Sequence, residues 1–172
     1  MCPKTPACLI RRGGGTIINI ASIGGVAALP GVATYCATKF GVVGLTYALR
    51  EELRPHNIHV CAILPGVMHT ELSAGPQLSA AVENVVSVEP EDIAAAAVAT
   101  ARNHRAMSYV PRRLRLVFRT ALSIPERPRR FLTRVTRADQ AFLAMDQATR
   151  DAYHAALPPA VIPIRRTAPR IA

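Results

Sequence analysis

The sequence predicts an α/β fold built on a parallel sheet. Two short β-branched runs, TIINIAS at 16–22 and IHVCAIL at 58–64, are apolar on both faces, as strands buried in a parallel sheet are. A helical pattern lies between them, which makes a βαβ unit with an expected right-handed crossover. The 172 residues suffice for one domain with a sizeable core.

The helix between the two strands is predicted over 32–54. Apolar residues recur there at steps of three and four, and Pro55 ends the pattern. A second helix is predicted over 90–103, because Pro90 and the acidic residues after it suit a helix start. Residues 106–110 (AMSYV) are a candidate third strand, and 67–88 reads as an irregular, mostly apolar segment.

The charge distribution divides the chain in two. The net charge is +10, yet residues 1–100 hold six Lys and Arg against seven Asp and Glu, whereas residues 101–172 hold fifteen against four. We therefore predict a partial domain over 1–110 and a basic helical extension with a loose tail over 111–172. Within the extension, 112–137 could form a basic amphipathic helix that lies on an anionic membrane, or a helix packed on the domain with solvated arginines.

Composition also excludes several function classes. The four cysteines match no zinc-binding spacing and no histidine cluster accompanies them, so reduced thiols and no metal site are expected. No apolar run approaches the roughly 18 residues that span a bilayer, and the first twelve residues hold no apolar stretch long enough for a secretory signal, so none is expected. The arginines show no pattern of aromatic interleaving, which argues against a nucleic-acid partner. A cytoplasmic protein is expected, membrane-associated if the basic helix binds lipid.

One pair of residues, Tyr35 and Lys39, points to chemistry. The chain has 19 arginines and only two lysines, yet one lysine follows a tyrosine by four residues, in YCATK. On a helix these positions share a face. A neighbouring ammonium favours the phenolate and so lowers the pKa of a phenol, which suits the phenol to general acid–base work on a carbonyl or alcohol oxygen. The alternative is a chance pair on an amphipathic helix.

Two further motifs follow predicted strands, where α/β folds place reactive groups. Ser22 ends the first strand, and its hydroxyl could hold a substrate oxygen or simply bond to the local backbone. Pro65 and Gly66 end the second strand and would let the backbone approach a flat ligand, with the Thr70 hydroxyl nearby. The alternative for this segment is a plain turn.

These motifs together resemble the short-chain dehydrogenase/reductase family. GGGTIINIASIGG, YCATK and ILPGVMHT are similar to its serine, tyrosine–lysine and proline–glycine motifs in order and spacing, over roughly residues 6–110. The resemblance implies a Rossmann-type doubly wound parallel sheet that binds NAD or NADP. It also implies hydride transfer between the nicotinamide and a substrate carbon, a chemistry that the cofactor carries and the protein positions.

The resemblance assigns a role to each motif residue. Ser22 would orient the substrate oxygen and Tyr35 would exchange the proton. Lys39 would lower the pKa of the tyrosine and bind the nicotinamide ribose, while Pro65 and Gly66 would pack beside the nicotinamide.

The resemblance also extends to the segment that follows. The Met68 backbone and the Thr70 hydroxyl would hold the nicotinamide carboxamide. The apolar segment 67–88 resembles the substrate loop of the family and favours a hydrophobic carbonyl or alcohol substrate.

The family's glycine-rich turn, TGxxxGxG, and its NNAG stretch are absent, so the chain resembles the C-terminal half of such an enzyme. The serine strand would then have an exposed apolar edge, and the pyrophosphate would lack a helix N-terminus. We therefore expect this chain alone to bind NAD or NADP weakly or not at all.

Three functions stay open at this point. The first is a short-chain oxidoreductase represented by a truncated chain. The second is a non-catalytic remnant or interaction module that keeps helix 32–54 for pairing with an intact homologue, since that helix commonly lies in the family's dimer interface. The same helix could also form homo-oligomers. The third is a sugar-nucleotide epimerase, which shares the Tyr-x-x-x-Lys pair, although PGVMHT fits the dehydrogenases better.

Overall fold

The computed structural model describes residues 4–68, 80–123, 125 and 127–128. These residues form three strands and five helices, joined in places by short 3₁₀ turns. In chain order the elements are α1 (Lys4–Arg11), β1 (Gly15–Ile20), α2 (Ala33–Leu53), β2 (Ile58–Pro65), α3 (Ala80–Val86), α4 (Pro90–Asn103), β3 (Met107–Val110) and α5 (Leu114–Ser123).

The three strands form one parallel sheet in the order β1–β2–β3. Ile17 pairs with Val60 across the first ladder, and Ala62 pairs with Met107 across the second. The central strand β2 is buried along almost its whole length, and α2 and α4 both pack against it. The predicted α/β class with a parallel sheet is therefore confirmed.

The core has a layer on each face of β2. On one face, Ala62 and Leu64 pack against Val43 of α2. On the other, Ile63 packs with Val88 and Val110, and side chains of α4 complete this layer. Because both faces are covered, β2 reads in sequence as a continuous apolar run rather than an alternating one.

Local chemistry sets the helix boundaries. The strand after α2 begins beyond a 3₁₀ turn that contains Pro55, and Asn57 there adopts the left-handed conformation. Helix α4 begins with Pro90 at its first position and a reciprocal capping box between Glu89 and Asp92. It ends at Asn103, and His104 caps it in the left-handed conformation. Helix α4 occupies the predicted range 90–103, and α2 begins within one residue of its predicted start.

Two elements differ from the sequence expectation. Residues Lys4–Arg11 form α1, where no element was predicted, and Ala80–Val86 form α3 inside the stretch expected to be irregular. The isolated bridge between Val67 and Ser87 ties this stretch to the end of β2. Both helices are short, so their stability comes from packing rather than from a long amphipathic pattern.

At the start of the basic extension, α5 lies within the predicted range 112–137. Leu114 is fully buried and Phe118 is half-buried, whereas Leu116 and Val117 are exposed. The remainder of 112–137 lies mostly outside the described residues, and the boundary between 110 and 111 stays a prediction. None of the helices in the described part of the chain is long and apolar enough to cross a membrane.

Candidate active site

The predicted site lies at the carboxyl ends of β1 and β2. Ala21 continues the ladder beyond β1, because its N–H donates to the Ile63 carbonyl at 2.8 Å. Ser22 and Pro65 therefore leave the sheet from adjacent strand ends. The parallel arrangement brings these two motifs to the same edge of the sheet although 43 positions separate them in the sequence.

Ser22 is buried, with 7% of its surface exposed, and it caps the 3₁₀ turn Ile23–Gly25. Its Oγ accepts a hydrogen bond from the Gly24 N–H at 3.1 Å. The structure therefore contains the alternative considered for this serine, a hydrogen bond to the local backbone. A hydroxyl that accepts one bond still carries a proton to donate, so the cap leaves Ser22 able to bind a substrate oxygen.

Tyr35 lies in the first turn of α2 and is 45% exposed. Its ring packs against the serine-capped turn: a Cβ added at Gly24 would lie 3.2 Å from the ring Cε1. Thr38 Oγ1 donates to the Tyr35 carbonyl at 2.7 Å within the helix. The tyrosine ring is therefore held beside Ser22, with much of its surface open to a ligand.

Lys39 lies one turn further along α2. Its Nζ is 5.6 Å from the centroid of the Tyr35 ring and donates to the Ile20 carbonyl, at the end of β1, at 3.2 Å. A Cβ at Gly25 would come within 2.7 Å of the Lys39 carbonyl, so only glycine lets α2 approach the turn this closely. The structure therefore brings Ser22, Tyr35 and Lys39 together.

A second tie holds β1 against α2. Asn19 Nδ2 donates to Thr46 Oγ1 at 2.9 Å, and Thr46 Oγ1 donates to the Val42 carbonyl at 2.7 Å. Thr46 is completely buried. This bond fixes the strand that leads to Ser22 relative to the helix that carries Tyr35. Sequence reasoning gave no role to Asn19, Gly24 or Gly25; the glycine pair that begins two residues after the serine was the available signal.

The proline–glycine segment has a different environment. Pro65 is buried, and the Gly66 N–H donates to the Val110 carbonyl at 2.7 Å. A side chain on Gly66 would overlap the Val86 carbonyl. Among the described residues, packing against α3 therefore accounts for the glycine. Met68 packs against the core layer that contains Ile63. Thr70 lies outside the described residues.

A separate polar cluster lies at the opposite, amino end of β2. The rings of His59 and His104 stack with centroids 3.9 Å apart. Arg50 donates to the Val60 carbonyl at 2.8 Å and to the His104 carbonyl at 3.0 Å. Burial, and then the charges of His104 and Arg50, lower the pKa of His59. Burial raises the pKa of the Cys61 thiol.

No group of three or more His, Cys, Asp or Glu side chains in the described residues could hold a metal ion. The polar groups that converge at the site are a hydroxyl, a phenol and an ammonium. Together they can bind, protonate or deprotonate an oxygen atom of a ligand.

Comparison with known proteins shows which family this chain resembles. The family model described as "short chain dehydrogenase" matches residues 1–78. A D-threitol dehydrogenase from Mycolicibacterium smegmatis is 36% identical over 114 residues, which cover 62% of this chain and 44% of that protein. A 3-oxoacyl-[acyl-carrier-protein] reductase from Rickettsia typhi is 37% identical over 102 residues, which cover 56% and 42%.

A solved structure agrees with these relatives. A short chain dehydrogenase from Burkholderia cenocepacia in complex with NADP superposes with a TM-score of 0.58 and 27% identity, covering 77% of this chain and 52% of that one. The chain thus spans less than half the length of the two curated relatives and about half of this structure. With Ser22, Tyr35 and Lys39 gathered at the carboxyl edge of a parallel sheet and residues 1–78 matched by the family model, these similarities support a member of the short-chain dehydrogenase family.

Proposed function

We propose that this chain carries the proton-transfer part of an NAD(P)-dependent oxidoreductase that acts on a carbonyl or alcohol group of an apolar substrate. The observation that supports it most directly is the convergence of three side chains. Tyr35 packs on the turn that Ser22 caps, and Lys39 donates a hydrogen bond to the Ile20 carbonyl, at the end of the strand that leads into that turn.

Each side chain has a defined task in this proposal. The half-exposed Tyr35 exchanges a proton with the substrate oxygen through its phenol oxygen. The Ser22 hydroxyl donates to the same oxygen and fixes its position. The positive charge of Lys39 stabilises the negative charge that develops on the phenol oxygen when it releases its proton.

The donor set fits the nicotinamide half of the cofactor. An ammonium has three donors, and the described residues give Lys39 one hydrogen bond, to Ile20, which leaves donors for ribose hydroxyls. Pro65 ends the adjacent strand and Gly66 follows it. Both would pack beside the nicotinamide, and the Met68 backbone would hold its carboxamide. When bound, the cofactor supplies or accepts the hydride.

The phosphate half of the cofactor site has no counterpart in the sequence, which contains no TGxxxGxG turn. Helix N-termini after such turns bind pyrophosphate. The proposal therefore includes weak binding of NAD(P) by this chain alone and a functional protein that is longer. The curated relatives are more than twice as long as their matched parts, which supports a longer functional protein.

Two measurements test the proposal. The first is the DNA upstream of Met1, where an in-frame or frameshifted glycine-rich turn is expected. The second is calorimetric titration of NADH and NADPH into the 172-residue chain and into the longer product. Micromolar binding by the 172-residue chain would contradict the expected weak binding. A longer product that binds cofactor yet reduces no apolar ketone would contradict the proposed function.

The second candidate is a non-catalytic module that pairs through helix 32–54. Phe40, Leu45 and Tyr47 of α2 are between 44% and 52% exposed, and a Cβ at Gly41 or Gly44 would meet nothing within 4 Å. This exposed apolar face favours contact with another helix. Sedimentation of the wild type and a Phe40→Ser variant tests it: a monomeric wild type would rule out homo-oligomers, and an unaffected oligomer would place the interface elsewhere.

We also propose that the basic segment 112–137 contacts the surface of an anionic membrane. Its support is the exposed Leu116 and Val117 beside the exposed arginines Arg115 and Arg119 on α5. Liposome flotation with anionic and neutral vesicles measures this contact. Equal recovery with both vesicle types would argue against electrostatic binding.

A further inference from the structure

The C-terminal end of α3 is bonded to the rest of the domain by a side chain that the proposed function does not use. An α-helix leaves its last four carbonyls without partners inside the helix, so their donors come from elsewhere. In α3 these carbonyls belong to Glu83, Asn84, Val85 and Val86. The Ser87 N–H donates to the Glu83 carbonyl at 2.8 Å, and the Val67 N–H donates to the Val86 carbonyl at 2.8 Å. The other two carbonyls need a donor from another segment.

Arg113 supplies both of the remaining donors. Its Nε donates to the Val85 carbonyl at 2.9 Å, and its Nη2 donates to the Asn84 carbonyl. A planar guanidinium can bridge two neighbouring oxygens, and its positive charge is favourable at the negative end of a helix. The Nε bond joins residues 28 positions apart. In the described residues, all four terminal carbonyls of α3 therefore have donors, and Arg113 provides two of them.

The end of α3 and the start of α5 meet at Gly66, directly after β2. A side chain on Gly66 would overlap the Val86 carbonyl of α3, and its Cβ would lie 3.2 Å from Leu114 Cδ1 of α5. Leu114 is completely buried and follows Arg113 directly, so the position of the arginine is fixed by the core. Arg113 thus bonds two segments that both pack beside the glycine.

Helix α3 has little else to hold it in place. It is seven residues long, and none of its described side chains is buried. A helix of this length is unstable in water by itself, so its position depends on tertiary contacts. The bridge between Val67 and Ser87 is made by the backbone and cannot be removed by changing a side chain. The contribution of Arg113 can be removed without altering α3 itself.

We propose that Arg113 is a positioning residue for the substrate side of the site, because it holds the C-terminal end of α3 against Gly66. This role rests on the proposed function, in which Gly66 packs beside the nicotinamide and an apolar substrate binds nearby. Arg113 contacts neither ligand in this role and acts through the backbone of α3. Its loss should therefore weaken substrate binding and leave proton exchange by Tyr35 unchanged.

Hydrogen exchange of the 172-residue chain tests the bond between Arg113 and α3 without any substrate. In Arg113→Ala, protection of the Val67 and Val88 N–H groups, which pair the end of α3 with the end of β2, should fall about three- to tenfold. Protection of the Ala62 N–H, which lies in the sheet, should change by less than about two-fold. Equal protection at Val67 and Val88 in the variant and the wild type would overturn the proposal. An equal fall at Ala62 would show a global loss of stability and overturn it as well.

Two further variants separate the paired geometry from the charge. Arg113→Lys should lie between the wild type and Arg113→Ala, because an ammonium keeps the charge but lacks the planar fork that bridges two carbonyls. A lysine variant with full protection would overturn the role of the paired donors. Arg112→Ala is the matched control, because Arg112 is the exposed neighbour and its side chain makes no hydrogen bond to α3 in the described residues.

Kinetics of the longer product test the effect on substrate binding, with acetophenone as the apolar ketone. Arg113→Ala should raise KM about three- to tenfold and change kcat by less than about two-fold, with an unchanged pH profile of kcat, since Tyr35 is not touched. An unchanged KM, or a kcat that falls while KM stays constant, would overturn the positioning role. A longer product without activity would contradict the proposed function, and the exchange measurements would still decide whether Arg113 holds α3.

Discussion

The two ends of the sheet use their polar side chains differently. At the amino end, Arg50 donates to the carbonyls of Val60 and His104, and two histidine rings stack on each other. At the carboxyl end, Tyr35 is half exposed and Lys39 makes one described hydrogen bond. Polar groups at the first end hold the fold together, whereas those at the second keep donors and surface available for a ligand.

Replacement of Tyr35 by phenylalanine tests the carboxyl end most strongly. The change keeps the ring against Gly24 and removes the oxygen that we propose exchanges the proton. In a form of the protein that transfers hydride, the rate should fall by about 100- to 10,000-fold, with unchanged stability in urea. Tyr47→Phe, on the exposed face of the same helix, is the matched control. Equal rates for Tyr35→Phe and the wild type would remove Tyr35 from the proton transfer.

Arg50→Ala tests the amino end. The variant leaves the Val60 and His104 carbonyls without their donor, so the free energy of unfolding should fall by about 2–4 kcal/mol. Arg54→Ala serves as the control, because Arg54 is exposed and its pair with Glu51 should contribute only about 0–1 kcal/mol. Urea denaturation measures both. Equal losses in the two variants would contradict the structural role given to Arg50.

Two glycines sharpen the comparison at a smaller scale. An added methyl at Gly25 would press on the Lys39 backbone, so Gly25→Ala should destabilise the fold by about 1–3 kcal/mol. A methyl group added at Gly41, in the helix α2 that carries Lys39, would meet no neighbouring atom, so Gly41→Ala should stabilise the fold by about 0.5–1 kcal/mol. Thermal unfolding of both variants tests the expected opposite signs. A stabilised Gly25→Ala would show that the turn and α2 are further apart than described.

The smallest expected effect is a pH dependence at the amino end. Because the pKa of His59 is lowered in the folded state, the unfolded chain takes up a proton first as the pH falls below 6.5, the ordinary value. Stability should therefore be complete above this value and decline below it, until the folded state is also protonated. His59→Gln should flatten this part of the profile of unfolding free energy against pH. If the free energy of unfolding of the wild type rose as the pH fell below 6.5, the prediction would be wrong.

Much of this fold follows from local sequence patterns. The runs 16–22 and 58–64 predict buried parallel strands because both faces are apolar, and Pro90 with its acidic neighbours predicts the start of α4. Helices α1 and α3 escape prediction because they are short. At the site, the spacing of Tyr35 and Lys39 predicts their proximity on a helix.

Other features of the site depend on contacts between distant segments, which no local pattern reveals. The bond from Asn19 to Thr46 joins residues 27 positions apart. The Val86 carbonyl, which leaves no room for a side chain at Gly66, comes from a helix 20 positions further along the chain. Such constraints are set by how the elements pack, so the sequence alone could name Gly66 but not its neighbour.

Helix α2 connects the two ends of the sheet and is anchored at Thr46 between them. At about 1.5 Å per residue, Tyr35 lies about 16 Å along the axis from that anchor and Arg50 about 6 Å on the other side. If the hydrogen bonds of Arg50 were removed, a tilt of α2 by only about 4° around Thr46 would move its Tyr35 end by about 1 Å. A displacement of that size can slow an enzymatic step about 100-fold. Substitutions at Arg50, about 22 Å from Tyr35 along the helix, should therefore change the rate of the proposed reaction without altering any of the proposed site residues.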